Sequence, residues 1–295
     1  MTHEAHGVCF PDQAWFGTVD VLENVQLARD TYRVRIAAPH IARRIVPGQF
    51  LMIRMAGTND PLLGRPLALY DTVCDEAGNP IALDVVYLVV GKMTSRLAAL
   101  GPGQRVDVWG PLGNGFPLAP AELACDEHLI LVAGGIGQTP FLALAQESTG
   151  QRAYGSPARD APRAARISFC YGARSREYLA GVEDFARLGI EVRLSTDDGS
   201  AGTRGFVTEQ LTAVLDAAQH QPRVIACGPE PMLHAVAKIL RERNVPGLVS
   251  LETPMACGLG ICFSCVARVR DASGAWDYRR TCVEGPVFDA QAVEF

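Results

Sequence analysis

The chain has no apolar run approaching the roughly 20 residues that a bilayer-spanning helix needs, so no membrane segment is expected. It has no basic excess: 27 Lys and Arg face 32 Asp and Glu, and a net charge of −5 leaves no electrostatic footprint for nucleic acid. The opening Met1-Thr-His-Glu-Ala-His lacks a charged-then-apolar pattern, which predicts a chain that is not exported and is cytoplasmic. The six histidines make no pair at metalloprotease spacing, and no internal repeat is visible. Cys9, Cys74, Cys125 and Cys170 show no pairing logic and read as buried or incidental thiols of a reducing compartment. What is left is an ordinary globular composition, 48% hydrophobic and 20% charged. At 295 residues it is too long for one compact core, so two or three domains are expected.

The sharpest signal is Cys257-Gly-Leu-Gly-Ile-Cys262-Phe-Ser-Cys265, followed by Cys282. C-x4-C-x2-C with a later fourth cysteine is the plant-type spacing of a [2Fe–2S] cluster, which needs four thiolates. Gly258 and Gly260 let the backbone wrap closely around such a group. A structural zinc site also takes four cysteines but usually shows two C-x2-C pairs, and here there is one. A disulfide framework would suit a secreted chain. The spacing favours the cluster and leaves zinc as the competing reading.

From Phe16 to about Pro120 the chain reads as short strands broken by Gly and Pro, the pattern of a small antiparallel barrel. Thr31–Ile36, the stretch after Pro47-Gly48, Ile81–Val90 and Gln104–Trp109 are its clearest strands, with one short helix over Ser95–Leu100. Arg65 beside Pro66 at a strand start offers a guanidinium fork for a pyrophosphate. Gly91-Lys-Met-Thr94 offers a loop leading into a helix, a second anion-binding arrangement. A surface ion pair is the plain alternative for Arg65.

Leu129 to Gly134 is a buried-type strand running into Gly135-Ile-Gly137-Gln-Thr139-Pro140, with a helix beginning at Phe141. That is the strand, glycine turn and helix that set a phosphate at a helix N-terminus, although it departs from G-x-G-x-x-G. Strands at Ala165–Tyr171, Ile190–Ser195 and Val224–Ala226 alternate with helices at Glu177–Leu188, Thr208–Ala217 and Glu230–Arg243, which predicts a parallel sheet. Two further strand ends, Thr196-Asp197-Asp198-Gly-Ser200 and Cys227-Gly228-Pro229-Glu-Pro-Met232, fall where such sheets bind ligands. Their plain alternatives are an Asx turn and a proline-started helix. Thr149–Arg163, rich in Gly, Pro, Arg and Ala, reads as a mobile surface insertion.

Pro47-Gly-Gln-Phe50, Arg65-Pro66, Gly91-x-x-Thr94 and Gly110-Pro-Leu-Gly-Asn-Gly-Phe116, in that order, resemble the flavin domain of the ferredoxin reductase family. With Cys227-Gly-Pro-Glu-Pro-Met-Leu233, Glu252-x-x-Met255-x-Cys257 and Cys282-Val-Glu-Gly-Pro-Val-Phe288 added, nearly the whole chain resembles the electron-transfer subunit of dihydroorotate dehydrogenase B. The resemblance implies a multidomain fold: an antiparallel β-barrel FAD domain over 13–122, an α/β parallel-sheet NAD domain over 123–250 and a small C-terminal [2Fe–2S] domain over 251–295. It carries FAD contacts onto Arg65, Pro66, Leu67, Ala68, Val86, Tyr87, Leu88, Met93 and Thr94, and cluster ligation onto Cys257, Cys262, Cys265 and Cys282. It implies an FMN-containing catalytic partner, two copies of each chain in a heterotetramer, and electrons passing from dihydroorotate through the cluster and FAD to NAD in pyrimidine biosynthesis.

Two positions depart from that pattern. Ala68 stands where the family usually has a serine near the flavin N5, and Leu88 where an arginine is frequent. No side-chain acid or base is needed for hydride exchange between nicotinamide and flavin, and none is expected here; the base for dihydroorotate belongs on the partner. The alternative readings are an equivalent subunit of a hydrogenase, sulfide dehydrogenase or ferredoxin–NADP reductase complex, and a zinc-stapled nucleotide-binding protein.

Overall fold

The computed structural model describes residues 13–120, 123 and 126–295. The first six residues, Cys9, Cys125 and the division expected at 122/123 lie outside them. Six strands close a barrel: β1 (Trp15–Ala28), β2 (Thr31–Ile36), β3 (Phe50–Met55), β4 (Arg65–Cys74), β5 (Pro80–Leu88) and β6 (Arg105–Leu112). Their order is β1-β2-β5-β4-β3-β6, antiparallel at every seam. Period-two alternation drives the closure: Val34, Ile36, Leu51, Ile53, Leu83, Val85, Val106 and Val108 are wholly buried in one core. Helix α1 (Pro39–Ala42) and helix α2 (Lys92–Ala98) add Ile41, Met93 and Leu97 to it.

The second unit is a seven-stranded sheet. It comprises β7 (Glu127–Gly134), β8 (Arg166–Ala173), β9 (Glu191–Thr196), β10 (Thr203–Arg204), β11 (Gln221–Cys227), β12 (Gly247–Ser250) and β15 (Val287–Asp289). The order β10-β9-β8-β7-β11-β12-β15 reverses direction between β7 and β11, the switch point of a doubly wound sheet. Helices α3 (Phe141–Ser148) and α4 (Val182–Ala186) cover one face, and α5 (Val207–Asp216) and α6 (Glu230–Arg243) the other. Every residue of β7 is buried as a result. Between β12 and β15 the chain makes a cysteine loop and the hairpin β13 (Val266–Arg270) and β14 (Trp276–Arg280). It then returns to pair antiparallel with β12, so the last segment is stitched into the seven-stranded sheet at its edge.

Two expectations need correction. The continuous helix expected over Glu177–Leu188 is a short 3₁₀ turn at 176–178 and then α4. Gly181 breaks it at φ +70, where the Tyr70 hydroxyl fills the space a side chain would take. The stretch Thr149–Arg163 lies at the surface as expected, but it is anchored rather than loose. Tyr154 is buried, and Arg159 bridges the Glu147 carboxylate of α3 and the Phe116 carbonyl at the barrel exit.

The same segment grips the barrel through Asp71 on β4. Its carboxylate accepts from Gln146 Nε2 at 2.9 Å, Arg152 Nη1 at 2.6 Å and Tyr154 Oη at 2.8 Å. Next to it, the Tyr70 hydroxyl donates to Asp184 of α4 at 2.6 Å. Removing the carboxylate leaves Gln146 Nε2 and Tyr154 Oη without an acceptor and takes from Arg152 Nη1 one of its two, the Thr72 carbonyl remaining; each lost bond is worth on the order of 1 kcal/mol. Asp71→Ala is therefore expected to cost about 2–3 kcal/mol, enough to lower a thermal melt by about 5 °C. Asp71→Asn should fall between it and the parent in the same melt.

Candidate functional site

Parallel pairing brings the expected strand ends to one edge of the sheet. Cys227 lies level with Ala133, Gly134 with Gly172, and Ala173 with Thr196. At the switch point the backbones nearly touch. A Cβ on Gly137 would overlap the Cys227 carbonyl, and one on Gly228 would stand 2.9 Å from the Gly134 nitrogen. Gly135 sits at φ +55 with open space around it. Thr139 and Pro140 are buried and lead into α3, and Pro229 caps α6 from an exposed position. Burial pushes the Cys227 thiol up, so it stays protonated.

Asp197 is exposed at this edge. The Asp198 carboxylate is engaged in its own Asx turn, accepting from Ser200 N at 2.9 Å and Ser200 Oγ at 2.6 Å, which lowers its pKa. Gln138, unremarked in sequence, is wholly buried on the glycine turn with both amide atoms unpartnered. Orphaned buried polar atoms are costly, so a donor–acceptor pair left open beside a phosphate-type turn fits a nucleotide site. The spacing of the glycines carries no signal for it.

On the barrel, Arg65 is exposed and bonds only to the Leu63 and Gly64 carbonyls, at 3.2 and 2.9 Å. Among the described residues no acid neutralises it, so the guanidinium is available to an anion. Pro66 and Ala68 pair with Met52 and Phe50 of β3 and share their outward face, while Leu67 packs against the barrel core. Leu88 is half-buried at the end of β5. Tyr87 and Met93 are core side chains: Tyr87 donates to Asn24 Oδ1 at 3.1 Å, and Met93 is wholly buried. Val86 packs under the nucleotide unit with Tyr70 and Phe116. Thr94 Oγ1 accepts from the Val90 and Gly91 amides at 3.0 and 3.2 Å and so caps its own helix. Strand alternation puts Tyr87 on the inward side with Val85.

The four cysteines of the last segment are free thiols in two pairs: Cys257 and Cys262 with Sγ atoms 3.2 Å apart, Cys265 and Cys282 at 3.1 Å. Both separations far exceed a disulfide bond of about 2.05 Å. Two thiol pairs match a two-iron group with two protein ligands on each iron. Gly258 at φ +71 and Gly260 at φ +81 turn the loop, and the Leu259 amide donates to Cys257 Sγ at 3.3 Å. The hydrogen bond with Ser264 pulls the Cys262 thiol down to about 6, while burial pushes Cys282 up to about 12.

The loop is seated on the barrel. Met255, Cys265 and Cys282 pack against Phe50, Met52 and Leu112, and Trp109 Nε1 donates to the Cys257 carbonyl at 2.8 Å. Asn114 Nδ2 holds the return strand through the Val287 carbonyl at 2.8 Å. Leu259 is half-buried in this cluster, whereas Ile261 and Phe263 are 77% and 62% exposed.

Comparison with known proteins agrees with each part. Residues 18–116 match the oxidoreductase FAD-binding domain, 131–238 the oxidoreductase NAD-binding domain, and 252–294 the iron-sulfur cluster binding domain of dihydroorotate dehydrogenase B. The solved structure of an NADH-dependent reduced ferredoxin-NADP oxidoreductase aligns at a TM-score of 0.76 and 27% identity, over 98% of this chain and 91% of that one. Among the described residues, no helix is long and apolar enough to cross a membrane. The dihydroorotate dehydrogenase B (NAD(+)) electron transfer subunit of Desulforamulus reducens is 36% identical over 92% of this chain and 96% of its own. That of Geobacillus kaustophilus is 38% identical over 90% and 94%. Similarity of this extent, running unbroken through all three domains, makes the chain a member of the dihydroorotate dehydrogenase B electron transfer subunit family.

Proposed function

We propose that this chain passes electrons between the FMN of a partner subunit and NAD, supporting oxidation of dihydroorotate to orotate in pyrimidine biosynthesis in the cytoplasm. The observation that carries the reading is the pair of thiol pairs seated on the barrel face that also bears Pro66 and Ala68. When bound, the three groups supply hydride exchange between nicotinamide and flavin and one-electron exchange with the cluster.

The chain's own residues bind and orient. Cys257 with Cys262, and Cys265 with Cys282, hold the cluster. Arg65 and the start of α2 at Gly91–Thr94 take the FAD pyrophosphate, while Pro66 to Ala68, Val86 and Leu88 bound the flavin. The cradle of Gly135, Gly137, Thr139, Pro140, Cys227, Gly228 and Pro229 takes NAD, with Asp197 and Asp198 at its rim. Exposed Ile261 and Phe263, flanking Cys262, offer an apolar seat for the FMN-containing catalytic subunit in a heterotetramer with two of each chain.

The deciding measurement is the visible spectrum of anaerobically purified protein, with iron, sulfide and zinc assayed on the same sample. Flavin bands with a cluster shoulder, about two irons per chain and bleaching by NADH are expected. A colourless protein with one zinc would sink the reading. Restoring the hydroxyl that Ala68 lacks adds one hydrogen bond of about 1 kcal/mol. Ala68→Ser should therefore tighten FAD about fivefold in a fluorescence titration of flavin-depleted protein.

A further inference from the structure

Trp109 pairs across the sheet with Met52, and Met52 pairs with Pro66. Directly paired residues project to one face, so the three side chains form a row over the adjacent strands β6, β3 and β4. The row meets the cysteine loop. A Cβ on Gly258 would stand 2.7 Å from Met52 Cγ, and the Trp109 indole donates to the Cys257 carbonyl at 2.8 Å. The other edge of the indole lies below the residue preceding Arg65: a Cβ on Gly64 would stand 2.9 Å from Trp109 Cη2. An indole has one donor and no acceptor, so this bond uses its whole polar capacity. Among the described residues no other barrel side chain hydrogen-bonds to residues 255–265.

We infer that Trp109 is a positioning residue for electron transfer between flavin and cluster. Its indole fixes the backbone of Cys257, and with it one of the paired thiols, at a set distance from the strand that carries Pro66 and Ala68. The inference rests on the proposed reading that Cys257 holds iron and that β4 lies along the flavin. Groups that orient a metal ligand without touching the metal are typically worth about 10–100-fold in affinity or activity. Cluster potentials respond to hydrogen bonds on the sulfurs; the Leu259 amide donates to Cys257 Sγ at 3.3 Å, and the indole bond to the Cys257 carbonyl holds that turn in place, which favours the reduced cluster.

Trp109→Phe deletes the donor and shortens the ring; Trp109→His shortens it likewise but keeps a ring N–H. Full-length proteins, purified anaerobically, are mixed with NADH while flavin bleaching and cluster reduction are followed separately, the latter by freeze-quench electron paramagnetic resonance. The cluster midpoint and the iron per chain are measured alongside. In Trp109→Phe the rate of cluster reduction relative to flavin bleaching is expected to fall about tenfold, and the midpoint to move to a more negative potential. Trp109→His should recover part of both. The inference is overturned if Trp109→Phe matches the parent in rate ratio and midpoint, if both rates fall by the same factor, or if Trp109→His does no better than Trp109→Phe. A parent protein without about two irons per chain, or with a flavin that NADH does not bleach, overturns the underlying reading instead.

Discussion

Cys282→Ala protein, purified anaerobically, is expected to hold less than half the iron of its parent while keeping FAD and bleaching with NADH. Cys282 is wholly buried and shares its site with Cys265, 3.1 Å away. Alanine leaves one iron of the expected pair with a single thiolate in a wholly buried place that water does not reach. Cys262 makes a useful contrast. It is exposed, with Ser264 Oγ 3.2 Å from its sulfur, so an oxygen ligand can enter when the thiol is removed. Cys262→Ala should retain more iron than Cys282→Ala, and an iron assay normalised to flavin reads the order directly. Equal iron in Cys282→Ala and the parent would remove Cys282 from the ligand set.

Gly137→Ala is expected to slow flavin bleaching by NADH about 100-fold or more, with FAD content and dithionite reduction of the cluster unchanged. The added methyl would meet the Cys227 carbonyl and the Gly228 Cα, all main chain, so no rotamer change relieves the overlap. The turn at 135–138 must back away from β11, at a cost of about 1–3 kcal/mol for overpacking, and the cradle opens with it. Gly135→Ala meets no neighbour and carries only the penalty of φ +55, about 1 kcal/mol. Its effect on NADH should be much milder. Stopped-flow absorbance of the two variants side by side checks both size and order; Gly137→Ala bleaching at the parent's rate would dissociate the cradle from NAD.

The parts legible in sequence were those written in local spacing. The cysteine loop, the strand before Gly135, the helix Glu230–Arg243 and the alternation of Thr31–Ile36 all carry their cause within a dozen residues, and each stands where it was expected. What escaped depends on partners far along the chain. Trp109 meets Cys257 across 148 positions, and Asp71 gathers Gln146, Arg152 and Tyr154 from 75 to 83 positions away. No pattern of neighbours encodes such bonds. The stretch Thr149–Arg163 looked loose because Gly, Pro and Arg mark loops, yet Tyr154 and Arg159 find acceptors that only the assembled barrel provides. The break at Gly181 has the same origin, since the space it yields belongs to Tyr70.

The return of β15 to β12 makes the iron-binding segment a closed excursion, tethered at both ends to neighbouring strands of one sheet. Its closure entropy is offset by sheet pairing and by the Asn114 clasp, whether or not metal is present. Iron lost to oxidation would thus leave the cysteine segment still anchored over the barrel at both ends. Rebuilding the cluster from ferric iron and sulfide then starts from cysteines already on one short segment. The fold stores the mould separately from the metal it shapes.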